Sequence, residues 1–366
     1  MADNSLAPAP FSSRSSAMAI FGRNWAVFFL LVMVVVFIFT GKNFLALANL
    51  QTIIYSATTS LLLAFAETFV IIARGIDLSV GYVMGFSTIV CAGVIRDLYA
   101  TQFGVHWPAG VAIALGIVAG LVASLACGLA SGILISRFRV PPFIATLGVL
   151  GVAYGFTLHA SDGGFPIAFL PNVLTEIGNG YVYYYNPVLH AYSFFAPPAG
   201  TTGPQIKELV RLFPNALILT LVFLVLLWHL LKNTRFGQHT YAIGGSMDAA
   251  VRAGIDTRRH LVQVYVLSAL LAGLAGIIWV FQTGQGNFVP MGSNLELFAI
   301  AAVIIGGASL NGGKGRIMST LIGVFIISIM ANGLTLTGVE TFWRFIATGV
   351  ILIVAIVVDQ LFPDLL

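Results

Sequence analysis

Two long blocks of this chain, Phe213 to Leu231 and Leu261 to Phe281, contain no Asp, Glu, Lys or Arg, and its most charged run lies between them. That run, KNTRFGQHTYAIGGSMDAAVRAGIDTRRH from Lys232 to His260, carries seven Lys, Arg or Asp residues. An uncharged apolar block of about 20 residues matches the hydrocarbon thickness of a bilayer, whereas a charged run belongs in water. The pattern demands two membrane spans joined by an aqueous loop. The whole chain follows suit: 58% hydrophobic residues, 8% charged and a mean hydropathy of +0.98 define an integral membrane protein built of helices, because lipid offers backbone groups no partners. A soluble domain is excluded. No basic patch with interleaved aromatics is present, so nucleic acid is not an expected partner, and the pI near 9.1 describes loops at a membrane surface. Cys91 and Cys127 both fall inside apolar blocks and form no disulfide framework.

Within the charged run, Ser246 can cap a short helix whose first turn holds Asp248, and Gly254 can end it in a left-handed turn. Residues 247–253 thus read as about two helical turns. Met247, Val251 and Ile255 share one face, and Asp248 pairs with Arg252 on another, with Ala249 and Ala250 between. Such a stripe invites a soluble partner; the plainer reading is an amphipathic helix lying flat on the headgroup layer.

The apolar blocks predict ten spans, at 25–40, 50–73, 82–95, 108–136, 143–159, 214–231, 261–281, 295–310, 317–337 and 342–362. Residues 1–24, rich in Ser, Ala and Pro, read as a disordered tail, and 25–366 as a single transmembrane domain. Residues 160–213 form one long loop on the side opposite the charged run. With the N-terminus in the cytoplasm, 12 of the 17 Lys and Arg residues face inward: Arg14, Arg23, Arg74, Arg137, Arg139, Lys232, Arg235, Arg252, Arg258, Arg259, Lys314 and Arg316. The positive-inside rule then places both termini and the 232–260 loop in the cytoplasm. Small residues four apart in GIVAG (116–120), GLASG (128–132) and GVAYG (151–155) predict close helix packing. Gly-flanked breaks at RGIDLSVG and GGASLNGGKG mark backbone that can line a path through the bilayer.

No catalytic constellation is present. The six His are scattered without metal-ligand spacing, and GGASLNGGKG lacks the Gly-Lys-Ser/Thr ending of a phosphate loop. This chain reads as a non-enzymatic subunit with no cofactor of its own.

TRFG, YAIGG and the following AA and GI of the charged loop resemble the cytoplasmic loop of ABC-importer permeases of the ribose, galactose and xylose class. RGIDLSVG (Arg74 to Gly81) is similar to that family's GGIDLSVG signature, and VIIGGASLNGGKG (Val303 to Gly315) to its V-GG-S-GG-G segment. The match spans about residues 45 to 360. The resemblance implies an all-α fold of about ten transmembrane helices with inverted repeats, placed in a bacterial inner membrane. It implies that the 247–253 helix docks on an ATP-binding subunit, which supplies ATP and Mg²⁺, and that Gly244, Gly245, Met247, Asp248, Ala249, Ala250, Val251, Arg252, Gly254 and Ile255 couple the two. A second permease copy, an extracytoplasmic solute-binding protein and membrane lipid are the other implied partners. The solute implied is a monosaccharide; relatives that carry nucleosides, quorum signals or branched-chain amino acids are the nearest alternative. An ion-coupled secondary transporter would leave the three motif blocks unexplained.

For the translocation path, the residues singled out are Glu67, Asp77, Ser79, Phe143, Thr146, Phe281, Gln282 and Glu296. Asp77 and Ser79 serve equally well as caps of the third span. The tyrosines of the outer loop suit stacking on a sugar, packing on a binding protein, or an aromatic belt at headgroup level. This chain departs from the family wording ALGMTxVIxTGGIDLSVG at Glu67 and Arg74, where it reads AFAETFVIIARGIDLSVG. Glu67 is then either held by Arg74 or a neighbouring span, or turned to the path.

Overall fold

The computed structural model describes residues 25–99, 107–288, 291, 293–340 and short pieces between 342 and 357. The expected tail at 1–24 and most of the expected tenth span lie outside the described residues. Within them the helices are α1 (Trp25–Thr40), α2 (Leu47–Ile72), α3 (Val80–Tyr99), α4 (Ala109–Ser136), α5 (Pro142–Ala160) and the short α6 (Val173–Gly178). After a small sheet come α7 (Asn215–Asn233), α8 (Arg235–Gly245), α9 (Met247–Arg252), α10 (Thr257–Thr283), α11 (Leu295–Ile305) and α12 (Ile317–Leu336).

Seven of the described helices are long and apolar enough to cross a membrane: α2, α3, α4, α5, α7, α10 and α12. Two of the ten expected spans are shorter. At 1.5 Å per residue, the 16 residues of α1 rise about 24 Å and the 11 of α11 about 17 Å, against a hydrocarbon core of about 30 Å. The expected span at 295–310 therefore stops early, because Gly306 and Gly307 turn the chain out of the helix, Gly307 with φ of 91°. Elsewhere helices outrun their apolar blocks where a polar residue can cap them. α10 begins at Thr257 because Asp256 Oδ1 accepts from Arg259 N at 3.0 Å.

The core is built around α2 and α10. From Leu61 to Ile72 every residue of α2 is buried, and it packs on α7, α10, α11 and α12, while α10 packs on α3 and α4. Hydroxyls tie neighbouring spans: Thr68 Oγ1 lies 2.7 Å from Thr320 Oγ1, and Thr220 Oγ1 donates to Thr58 Oγ1 at 3.1 Å. The small-residue motifs divide. GLASG lets α4 lie directly on α10, since a Cβ at Gly132 would come 2.8 Å from Val262 Cα. The two glycines of GVAYG are open instead: among the described residues, nothing beyond their own helix lies within 4 Å of a Cβ built at Gly151 or Gly155, although Ala153 between them is buried.

The outer segment expected as one loop is folded. The alternating, Tyr-rich Tyr181–Asn186 forms β1, paired antiparallel with β2 (Ala191–Phe194) and β3 (Val210–Pro214) in the order β2-β1-β3. Tyr184 opposes Ser193 on one side and Arg211 on the other.

α2 and α11 end alike. After α2, Arg74 N donates to Ile71 O (2.9 Å) and Gly75 N to Val70 O (2.9 Å). After α11, Gly307 N donates to Ile304 O (2.8 Å) and Ala308 N to Val303 O (3.1 Å). Each pair is the hydrogen-bond pattern of a left-handed C-terminal cap, with Arg74 at φ 69° and Gly307 at φ 91°. The letters correspond too: Val70-Ile71-Ile72 precedes one turn and Val303-Ile304-Ile305 the other.

Candidate coupling and translocation site

Three sequence blocks, spread over about 240 residues of the chain from Ile72 to Gly313, meet at the end of α2. The Ile72 carbonyl accepts from Gly313 N at 2.9 Å, and a Cβ at Gly244 of α8 would overlap that same carbonyl oxygen. Gly312 lies against both, 2.8 Å from Gly244 O and 2.9 Å from Arg74 Cβ if given a Cβ. Tyr241, on α8, donates its hydroxyl to Gly315 O at 2.6 Å. Burial pushes the Tyr241 hydroxyl above its ordinary pKa, with the Arg316 guanidinium acting the other way, so it remains a donor at neutral pH. The glycines of YAIGG and GGASLNGGKG are thus the condition for three backbones to touch.

α9 follows at once. Ser246 Oγ accepts from Ala249 N at 3.3 Å, and Gly254, at φ 81°, ends the helix with its N–H on Val251 O at 3.0 Å. Ala250 is buried, whereas Met247 and Val251 are 39% and 55% exposed. Ile255 is half-buried, its N–H on Ala250 O. Asp248 and Arg252 make no ion pair; among the described residues that distinction belongs to Arg96 and Asp97. Both Asp248 and Arg252 are exposed, where solvation competes with a one-turn pairing. α8 lies in the stretch expected as an aqueous loop. Thr234 caps it by accepting from Gly237 N, and Thr240 Oγ1, 2.9 Å from His260 Nε2, fastens it to α10. A groove of about 830 Å³ runs beside α9 between Met247, Val251, Arg139 and Arg258, reaching inward past Arg74 to Tyr265.

The RGIDLSVG turn holds a buried polar cluster. Asp77 Oδ1 accepts from Ser79 N at 3.0 Å and from Ser79 Oγ, and Asp77 Oδ2 accepts from Ser268 Oγ at 2.8 Å. Leu78 N donates to Thr146 Oγ1 at 3.2 Å, and Thr146 in turn donates to Pro142 O at 3.0 Å, so Thr146 pins the turn to α5. Glu296 is buried with Oε2 unpartnered, and that atom fills the space where Gly81 lacks a Cβ. The Tyr265 hydroxyl is likewise unpartnered and fills the space at Gly75. Glu67 is 0% exposed and neither carboxyl oxygen has a hydrogen-bond partner; it lies within electrostatic reach of Asp77 and Glu296.

Arg74 does not hold Glu67. The helix stops at Ile72, so Arg74 leaves the face it would share with Glu67 and turns outward, exposed, in the left-handed region. The other residues singled out from sequence are scattered. Phe143 is exposed on α5. Phe281 packs beside Ile277 and Leu174, and the Gln282 carbonyl accepts from Asn179 Nδ2 at 3.0 Å, both at the end of α10 remote from α9. Ser268 and Tyr265 were missed, because a lone hydroxyl inside an apolar block carries no signal until its neighbour is known.

A polytopic helical protein, with an exposed loop helix locked to a glycine-flanked break in its central span, is a membrane transport component. Residues 49–356 match the family described as the permease component of branched-chain amino acid transport systems, and the chain belongs to that family. It is similar to the ribose import permease protein RbsC of Bacillus subtilis (strain 168), at 37% identity over 331 residues and 90% of each chain. RbsC of Escherichia coli (strain K12) is 33% identical over 90% of this chain and 91% of its own. The D-allose transport system permease protein AlsC of the same strain is 31% identical over 354 residues, 94% of this chain and 93% of its own. No solved structure matches the chain.

Proposed function

We infer that this chain is the membrane-spanning permease subunit of an ATP-driven importer that carries a monosaccharide. The reading is supported chiefly by the convergence of Ile72, Gly244 and Gly313 beside the exposed α9. A force on the Met247 and Val251 face reaches the end of α2, and with it the Asp77 turn, through backbone contacts that have no slack. Relatives named for ribose, D-allose and galactose support a sugar as the solute.

In this scheme ATP and Mg²⁺ act on a separate ATP-binding subunit, which docks on the exposed Met247 and Val251 face of α9 and couples to the spans through Gly244 to Ile255. An extracytoplasmic solute-binding protein delivers the sugar, and a second permease copy completes the path within the inner membrane. The open Gly151 and Gly155 face of α5 offers that copy a close approach. Both termini lie in the cytoplasm by the distribution of Lys and Arg. The spans form an inverted repeat, and residues 25–366 form one transmembrane domain.

The test is a double substitution, Met247→Asp with Val251→Asp. It should leave the permease in the membrane while abolishing both co-purification of the ATP-binding subunit and sugar uptake. Recovery of that subunit at wild-type yield would overturn the docking role of α9.

A further inference from the structure

On the end of the bundle that carries α8 and α9, a cavity of about 730 Å³ lies between the first turn of α1 and the stretch that leads from α11 into α12. Lys314, Arg316 and Ser319 line one side of it, and Trp25 and Val27 the other. Lys314 and Arg316 are exposed, so both charges are within reach of a ligand. No Asp or Glu stands among the described residues of the wall, and Arg316 makes no ion pair among the described residues. The cavity thus presents two positive charges without a carboxylate to offset them, in a volume many times the roughly 30 Å³ of one water.

The cavity also opens where lipid must lie. α12 is long and apolar enough to cross a membrane, so the loop at its start stands at a membrane surface, and Trp25 begins the apolar α1 as tryptophans do at headgroup level. From the cavity wall an apolar stripe runs along α1: Val27, Leu31, Val35 and Phe39, each four residues from the last and all exposed. At 1.5 Å per residue the stripe is about 18 Å long, a little more than half of a hydrocarbon core of roughly 30 Å. Two cations at one end of an apolar stripe match a molecule with an anionic head and an apolar tail.

We propose that this cavity seats the phosphate of one anionic phospholipid, with Lys314 and Arg316 pairing with its oxygens and an acyl chain lying along Val27, Leu31, Val35 and Phe39. The site needs only the membrane spans and goes beyond the importer reading.

Native mass spectrometry of the full-length permease, purified in detergent and titrated with dioleoylphosphatidylglycerol or dioleoylphosphatidylcholine, tests the site. Wild-type protein should retain one phosphatidylglycerol per chain under conditions that strip phosphatidylcholine. Lys314→Gln with Arg316→Gln should weaken that retention by about tenfold or more, since two charge contacts at a membrane surface are lost. Two controls guard against misfolding and against loose attraction to any surface cation. Lys314→Arg with Arg316→Lys keeps both charges, and Lys232→Gln removes an exposed cation at the end of α7, outside the cavity. Both should retain the lipid as wild type does. Glycerol 3-phosphate in large excess should not displace it, because that molecule has the phosphate without the acyl chains. Undiminished retention in the double glutamine variant, equal retention of phosphatidylcholine, or loss in either control would overturn the site. Displacement by glycerol 3-phosphate would overturn the lipid and assign the cavity to a soluble phosphate compound. Each of these outcomes leaves the importer reading standing.

Discussion

Glu67 shows what a single residue costs and what it can reveal. Its two carboxyl oxygens are fully buried without a hydrogen bond, on a helix whose neighbours Ala64, Phe65, Ala66 and Phe69 are all apolar and buried. An unsatisfied buried polar group costs about 1–3 kcal/mol. Methionine has nearly the same length and no such demand. Glu67→Met should therefore raise the thermal midpoint of the purified permease, by an increment corresponding to about 1–3 kcal/mol. The same variant separates two roles: a residue facing the passing solute should change the preference among D-ribose, D-allose and D-galactose, whereas a packing residue should leave it alone. Unaltered preference in a well-expressed Glu67→Met protein would take Glu67 out of the path. The pairing with Arg74 that seven-residue spacing suggests fails for a backbone reason. It assumes a helix continuing to 74, and the left-handed cap ends it two residues sooner.

At the scale of elements, local chemistry was legible and distant contact was not. Ser246 and Gly254 bracket α9 as their residue types predict, because a cap is a hydrogen bond between near neighbours. α8 escaped notice because Gly237, Gly244 and Gly245 lower its intrinsic helix propensity. What compensates is Thr234, the Thr240 to His260 contact and the packing of Gly244 on Ile72. That contact carries a prediction. Gly244→Ala puts a Cβ into the Ile72 carbonyl and must push α8 off the end of α2, while the exposed α9 face stays intact. The ATP-binding subunit should still co-purify, yet uptake should fall by about tenfold or more, the loss equivalent to about 1.4 kcal/mol of coupling. Wild-type uptake in this variant would remove the contact from the transmission route.

For the whole molecule, the described spans and the outer sheet set the topology to be tested. Cysteines introduced at Thr202, beside the sheet, and at Thr257, at the start of α10, should label from opposite sides with a membrane-impermeant thiol reagent. Thr202→Cys should react in intact cells and Thr257→Cys only after lysis, against a low background from the buried Cys91 and Cys127. Labelling of both from outside would break the proposed orientation.

The sequence by itself determined the class of protein, the alternation of spans and aqueous loops, and the caps of α9. Hydropathy is an average over about 20 neighbours and a cap is a bond across three, so both are written locally. Tertiary structure decided the rest. It made α11 a short helix, gathered the Tyr-rich stretch into a three-stranded sheet, and brought residues 72, 244 and 313 to one point. A glycine in the chain says that something approaches closely; only the folded backbone says what.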